Sequence, residues 1–132
     1  MKTLPFLLAT CFALALNCSV TRAADLPYTK DSLALVKSNL AEEKAILIDV
    51  RDQDEWDEGH VKGAVFLPLS QLRKGAATET LRQLPKDKIL YTYCKVGARA
   101  WTAGNLLQKQ GYQIRVLKSG YEELVEAGFP NE

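Results

Sequence analysis

Short apolar runs bounded by turn residues alternate along this chain with stretches of helical periodicity, and that alternation constrains the fold more than any other feature. Behind the capping-type residues Asp31 and Ser32, Leu33, Val36 and Leu40 recur at helical spacing, and Ala45-Ile46-Leu47-Ile48 follows as a continuous apolar run ending in Asp49-Val50-Arg51. Asp52 to Glu58 is an acidic, helix-friendly turn around Trp56, closed by Gly59. Ala64-Val65-Phe66-Leu67 then makes a short strand that Pro68 stops. A second short helical region is predicted over Ala76 to Gln83. Lys88 to Tyr93 is a β-branched and aromatic strand, Ala98 to Gln110 a helix before Gly111, Gln113 to Leu117 a further strand, and Tyr121 to Ala127 a final helix. Such regular alternation predicts an α/β domain built from βαβ units, with a mostly parallel sheet and helices on both faces. Ligands of such sheets bind beyond the carboxyl ends of the strands.

One domain is all that 132 residues hold, and the first of them are read as a leader. Lys2 precedes the apolar stretch Leu4 to Leu16, and Thr21-Arg22-Ala23 ends with small residues where a signal peptidase reads. As a helix that stretch spans about 20 Å, short of the ~30 Å a membrane core requires, so no membrane span is expected. Residues 1–23 are therefore expected to be a cleaved signal peptide and 24–132 the exported domain. A lipoprotein reading of Leu14-Ala15-Leu16-Asn17-Cys18 suffers from Asn17, which stands where a small residue belongs. The 17 basic and 16 acidic residues give a net charge of +1 without a basic patch, so nucleic acid is not an expected partner. Three Cys and a single His at no metal-type spacing imply neither a metal nor another cofactor. Nothing specifies an interface between copies, and a monomer is the default.

Export would remove Cys11 and Cys18 and leave Cys94 as a lone thiol in an oxidising compartment, where it is either buried and inert or kept for its chemistry. Its surroundings favour chemistry. Cys94-Lys95-Val96-Gly97-Ala98-Arg99 joins an apolar strand to a helix, and the first amides of a helix lack intrahelical partners and carry partial positive charge. A short loop there turns several N–H groups toward one anion; Gly97 permits the positive φ this needs, and Ala98 keeps the ring small. With Lys95 and Arg99 adding cations, the loop is a cradle for a thiolate and for an anionic sulfur or oxygen donor meeting it. Lys95 is equally readable as a solvated surface lysine, and Arg99 as an ion-pair partner.

This Cys-x-x-Gly-x-Arg loop resembles the active site of the rhodanese family. Leu47-Ile48-Asp49-Val50-Arg51, followed by Glu55-Trp56 and Gly59-His60-Val61-Lys62-Gly63-Ala64, is similar to the family's amino-terminal signature. Ser119-Gly120-Tyr121 through Ala127-Gly128-Phe129-Pro130 resembles the carboxy-terminal one, with Ser119 and Tyr121 standing where the family shows a Gly and a Trp. The resemblance covers residues 30 to 130, and family habit makes the expected compartment periplasmic rather than extracellular. It implies a rhodanese-like single domain with a five-stranded parallel sheet, acting as a thiosulfate sulfurtransferase. Cys94 would take sulfane sulfur from thiosulfate or a similar donor as a persulfide and pass it to cyanide, another thiophilic acceptor or a protein thiol. It further implies that Lys95, Val96, Gly97, Ala98 and Arg99 bind the substrate, and that Asp49, Arg51 and His60 are structural residues near the site. A general-base role for His60 is the minor alternative to a hydrogen-bonded turn residue. Trp56, Trp101 and Tyr121 fall on helical apolar stripes and are expected to pack.

Three rivals remain. Phosphatases of related architecture resemble Cys-x5-Arg, whereas four residues separate Cys94 from Arg99, and the smaller ring suits a sulfur atom better than a phosphoryl group. A thiol-disulfide oxidoreductase would need a second Cys at position 97, which is Gly. A sulfur-carrying interaction module is the third.

Overall fold

The computed structural model describes residues 24–75 and 78–132; the expected leader, 1–23, and positions 76 and 77 lie outside the described residues. The elements are α1 (Leu33–Ala41), β1 (Ala45–Asp49), α2 (Gln53–Glu58), β2 (Val65–Phe66), α3 (Leu69–Lys74), α4 (Thr78–Gln83), β3 (Ile89–Tyr93), α5 (Ala98–Gln108), β4 (Gln113–Val116) and α6 (Tyr121–Glu126). The strands form a parallel sheet in the order β2-β1-β3-β4, with Asp49 opposite both Phe66 and Tyr93, and Thr92 opposite Val116. β1 and β3 lie at the centre, which is why they read as apolar runs without polar alternation. Side-chain alternation divides the core by face. Ile48, Leu90 and Val116 pack with Leu107 of α5, Leu69 of α3 and Leu81 of α4. Leu47, Tyr91 and Tyr93 pack with Val36 of α1 and Leu124 of α6 on the other face.

The sheet has four strands among the described residues, not the five the family resemblance implied. The place beside β4 holds only an isolated parallel bridge from Tyr28 to Val116, with the Thr29 amide donating to the Val116 carbonyl at 2.7 Å. Pro27 has no amide to contribute to a ladder. The polar backbone of Leu26 is already taken by α5, its N–H by the Asn105 carboxamide and its carbonyl by the Trp101 indole. Four residues after Tyr28 the chain reaches Ser32, whose hydroxyl accepts from the Leu35 amide and starts α1.

The second departure lies between β2 and β3. The strand expected over 64–67 is only Val65–Phe66, ending two residues before Pro68, and Pro68 opens a helix, α3, with Gly75 at φ 69° closing it. The predicted helical region of 76–83 is α4, described from Thr78. Among the described residues no helix is long and apolar enough to cross a membrane.

Candidate active site

Cys94 follows the last residue of β3, at the carboxyl end of the sheet, and is fully buried. The next two residues, Lys95 and Val96, are exposed, Val96 by 73%. Gly97 then takes φ 96° as the N-cap of α5, a left-handed conformation that disfavours any side chain. Its amide donates to the Cys94 Sγ at 3.0 Å. The nucleophile candidate thus sits at the unpaired end of an eleven-residue helix and accepts a backbone hydrogen bond there, an arrangement that stabilises negative charge on sulfur. Thr92 ties strand to helix from below, its hydroxyl donating to the Ala100 carbonyl at 3.0 Å.

Two contacts hold the loop from outside. The Tyr121 amide donates to the Cys94 carbonyl at 2.9 Å. Beside it, Gly120 presses its backbone so close that a Cβ there would lie 1.7 Å from the Lys95 carbonyl oxygen. Sequence reasoning quoted Gly120 as part of a signature without giving it a task. Its task is to let the chain before α6 lie against the loop.

Arg99 projects from the first turn of α5 and is bound by α2. Its guanidinium makes a two-point contact with Glu55, at 2.6 and 2.8 Å, and approaches Asp52 at 3.4 Å. Glu55 also accepts from the Asp52 amide. The Arg99 hydrogen bonds, working against burial, hold the Glu55 carboxyl down at about 2; the same pairing, with the Cys94 charge a lesser contributor, raises Arg99 above its ordinary value. Of the two readings open for Arg99, its side chain occupies the ion-pair one. Glu55 was a motif residue in the sequence and is here the partner that orients Arg99. The signal for it was an acid on the same turn as Asp52, four residues beyond Arg51.

Beneath lies a buried network. Asp49 is inaccessible and Arg51 is 4% exposed, and they pair through Arg51 Nη2 and Asp49 Oδ2 at 2.8 Å. The Tyr93 hydroxyl donates to the same oxygen at 2.5 Å, and Arg51 donates to the Gly59 carbonyl at 2.7 Å. Burial, reinforced by the Asp49 charge, pushes the Tyr93 phenol far up, so it stays a donor. For Arg51 burial opposes the charge, and Asp49 more than offsets it. These groups join the ends of β1 and β3 to the turn after α2.

His60 lies on that turn. Its ring stacks on Trp56 with centroids 3.5 Å apart, Nδ1 is 3.1 Å from the Trp56 carbonyl, and Nε2 is 3.4 Å from a Glu132 oxygen. Its backbone pairs with Glu132 in both directions. Trp56 also packs on Phe66, and Trp101 against the α5-side core. Tyr121 does more than pack: it lies over the Arg51 guanidinium at 4.3 Å and lines a cleft of about 200 Å³ together with Glu55, Glu58, Lys95 and Glu122. Among the described residues no group of His, Cys, Asp and Glu is gathered to hold a metal ion.

Comparison with known proteins places this geometry. Residues 32–127 match the model of the rhodanese-like domain. A probable adenylyltransferase/sulfurtransferase, MoeZ, of Mycobacterium tuberculosis is 40% identical over 77 residues, which are 58% of this chain and 19% of that protein. A sulfurtransferase of Allochromatium vinosum is 29% identical over 101 residues, 76% of this chain and 90% of that one. The chain thus spans about a fifth of the length of the first curated relatives it matches. Among solved structures, the human single-domain sulfurtransferase TSTD1 is similar at a TM-score of 0.64 with 32% identity, covering 76% of this chain and 96% of that one.

Proposed function

Since the chain belongs to the rhodanese-like family, we propose that it is a sulfurtransferase in which Cys94 carries sulfane sulfur as a persulfide. The observation that carries this reading is the Gly97 amide on the Cys94 sulfur at the free end of α5. The Cys94 thiolate attacks the outer sulfur of thiosulfate, the S–S bond of the donor breaks, and sulfite leaves with its electron pair. The persulfide anion that remains has its charge at the positive end of α5, beside the Gly97 amide. Cyanide or a thiol then attacks the outer sulfur, releasing thiocyanate or a new persulfide and returning the Cys94 thiolate. Both steps are displacements at sulfur. They need no general base, in keeping with a His60 committed to Trp56 and Glu132.

Relatives named as sulfurtransferases support the reaction class. The four-residue spacing from Cys94 to Arg99 supports sulfur over a phosphoryl group, and an ordinary aryl phosphate should be turned over far more slowly than thiosulfate. The test is thiocyanate formation from thiosulfate and cyanide by the full chain and by Cys94→Ala. We expect turnover in the first and none in the second, with unchanged circular dichroism; equal activity in both excludes covalent catalysis at Cys94. The reading includes export of the domain beginning near residue 24, supported by the apolar leader. N-terminal sequencing of the exported protein should start at Ala24, and a retained Met1 or a lipidated Cys18 contradicts it.

A further inference from the structure

The charges around the loop are unevenly shared. The cleft beside Lys95 is lined by Arg51, Glu55, Glu58, Tyr121 and Glu122. Two of these charges are already matched, Arg51 by Asp49 and Glu55 by Arg99. What remains is Lys95 against the exposed carboxylates of Glu58 and Glu122, neither of which has an ion-pair partner among the described residues. The helices that supply these acids deepen the imbalance. α2 adds Asp54 and Asp57, α6 adds Glu123 and Glu126, and neither contains a basic residue. On the other side of the Arg99–Glu55 bridge lies a second cleft, lined by Asp52, Ser70, Arg73, Arg99 and Thr102, where the cations Arg73 and Arg99 outnumber the one acid.

Resting on the persulfide reading above, we propose that Glu58 and Glu122 select the sulfur acceptor by charge, favouring a protein or peptide thiol flanked by Lys or Arg. A thiol carried on a protein or peptide brings its neighbouring residues past Lys95 and the cleft that Glu58 and Glu122 line. Carboxylates held there in solvent attract cationic flanks and repel acidic ones over a Debye length. The step itself is balanced: R–SH and Cys94–S–S⁻ become R–S–SH and Cys94–S⁻, the electron pair of the broken S–S bond leaving on the Cys94 sulfur. Selection is thus exerted on approach and should be screened by salt.

The experiment uses the full chain, loaded with thiosulfate, freed of excess donor and confirmed by mass to carry one added sulfur. It is then discharged by two synthetic peptides of equal length, each with one Cys, flanked by Arg in one and by Glu in the other. The ratio of the two rates is compared between the wild-type chain and a Glu58→Gln, Glu122→Gln double variant, so that intrinsic differences in peptide thiol reactivity cancel. At low ionic strength the ratio should fall about tenfold in the variant, and the gap should close near 0.5 M salt, where the Debye length is about 4 Å. A ratio unchanged between the two proteins after successful loading overturns the charge selection alone. Failure of the wild-type chain to load sulfur overturns the persulfide reading, and this inference with it.

Discussion

At Gly120 there is no room for a side chain, because the Lys95 carbonyl oxygen would lie inside any Cβ placed there. Gly120→Ala must push the loop or α6 away, and we expect it to cost about 3 kcal/mol or more, read as a lowered urea midpoint, together with slower sulfur transfer. Unchanged stability and rate would show that the close approach does not hold the loop. The role of Gly120 could not be read from the sequence, because its partner is 25 residues earlier and the contact is made only when β4 brings α6 back across the sheet. Cys94, by contrast, was legible. A lone thiol between an apolar strand and a Gly-containing helix start has few structural meanings, and the Gly97 hydrogen bond follows from that local order; the complete burial of Cys94 does not, since the sequence set burial against chemistry. Lys95, Val96 and Ala98, expected as substrate contacts, are the exposed residues of the loop.

Between elements, the decisive contact is α2 against the first turn of α5. The bridge from Arg99 to Glu55 spans 44 positions and fixes the cationic side chain of the active loop. Glu55, held down at about 2 by Arg99, has a folded value below its ordinary one, so it contributes stability that is present above about 4.5 and lost as the pH falls toward 2. Wild-type stability measured by denaturant should therefore decline through that window, and Glu55→Gln should flatten the decline; an identical slope in the variant would mean the bridge is too weakly formed to matter. Legibility at this scale tracks burial. β1, β3 and α5 were readable because both faces of the central strands and one face of the helix are covered, leaving continuous apolar patterns. The six residues of α3 carry only Leu69 and Leu72 as apolar markers, too few to establish a period, and Pro68 signalled an end more clearly than a beginning. The fifth strand came from resemblance alone, and here the groups of Leu26 that could have joined a ladder are bound to α5.

For the whole molecule, the parallel sheet sets the active loop at the carboxyl ends of its strands, and three separate stretches of chain converge there. The Asp49–Arg51–Tyr93 network ties β1 and β3 together beneath the loop, α2 contributes Glu55, and the turn before α6 closes the far side. This convergence explains why local helix and strand patterns could announce the fold, while the site needed all three signatures to be recognised. The central claim is that the helix end at Gly97 makes position 94 a carrier of sulfur. It is tested most directly by mass spectrometry of the chain after thiosulfate treatment. The peptide containing Cys94 should gain about 32 Da, one sulfur atom, and cyanide should remove it. An unmodified Cys94 under those conditions, or sulfur found on another residue, would contradict the account.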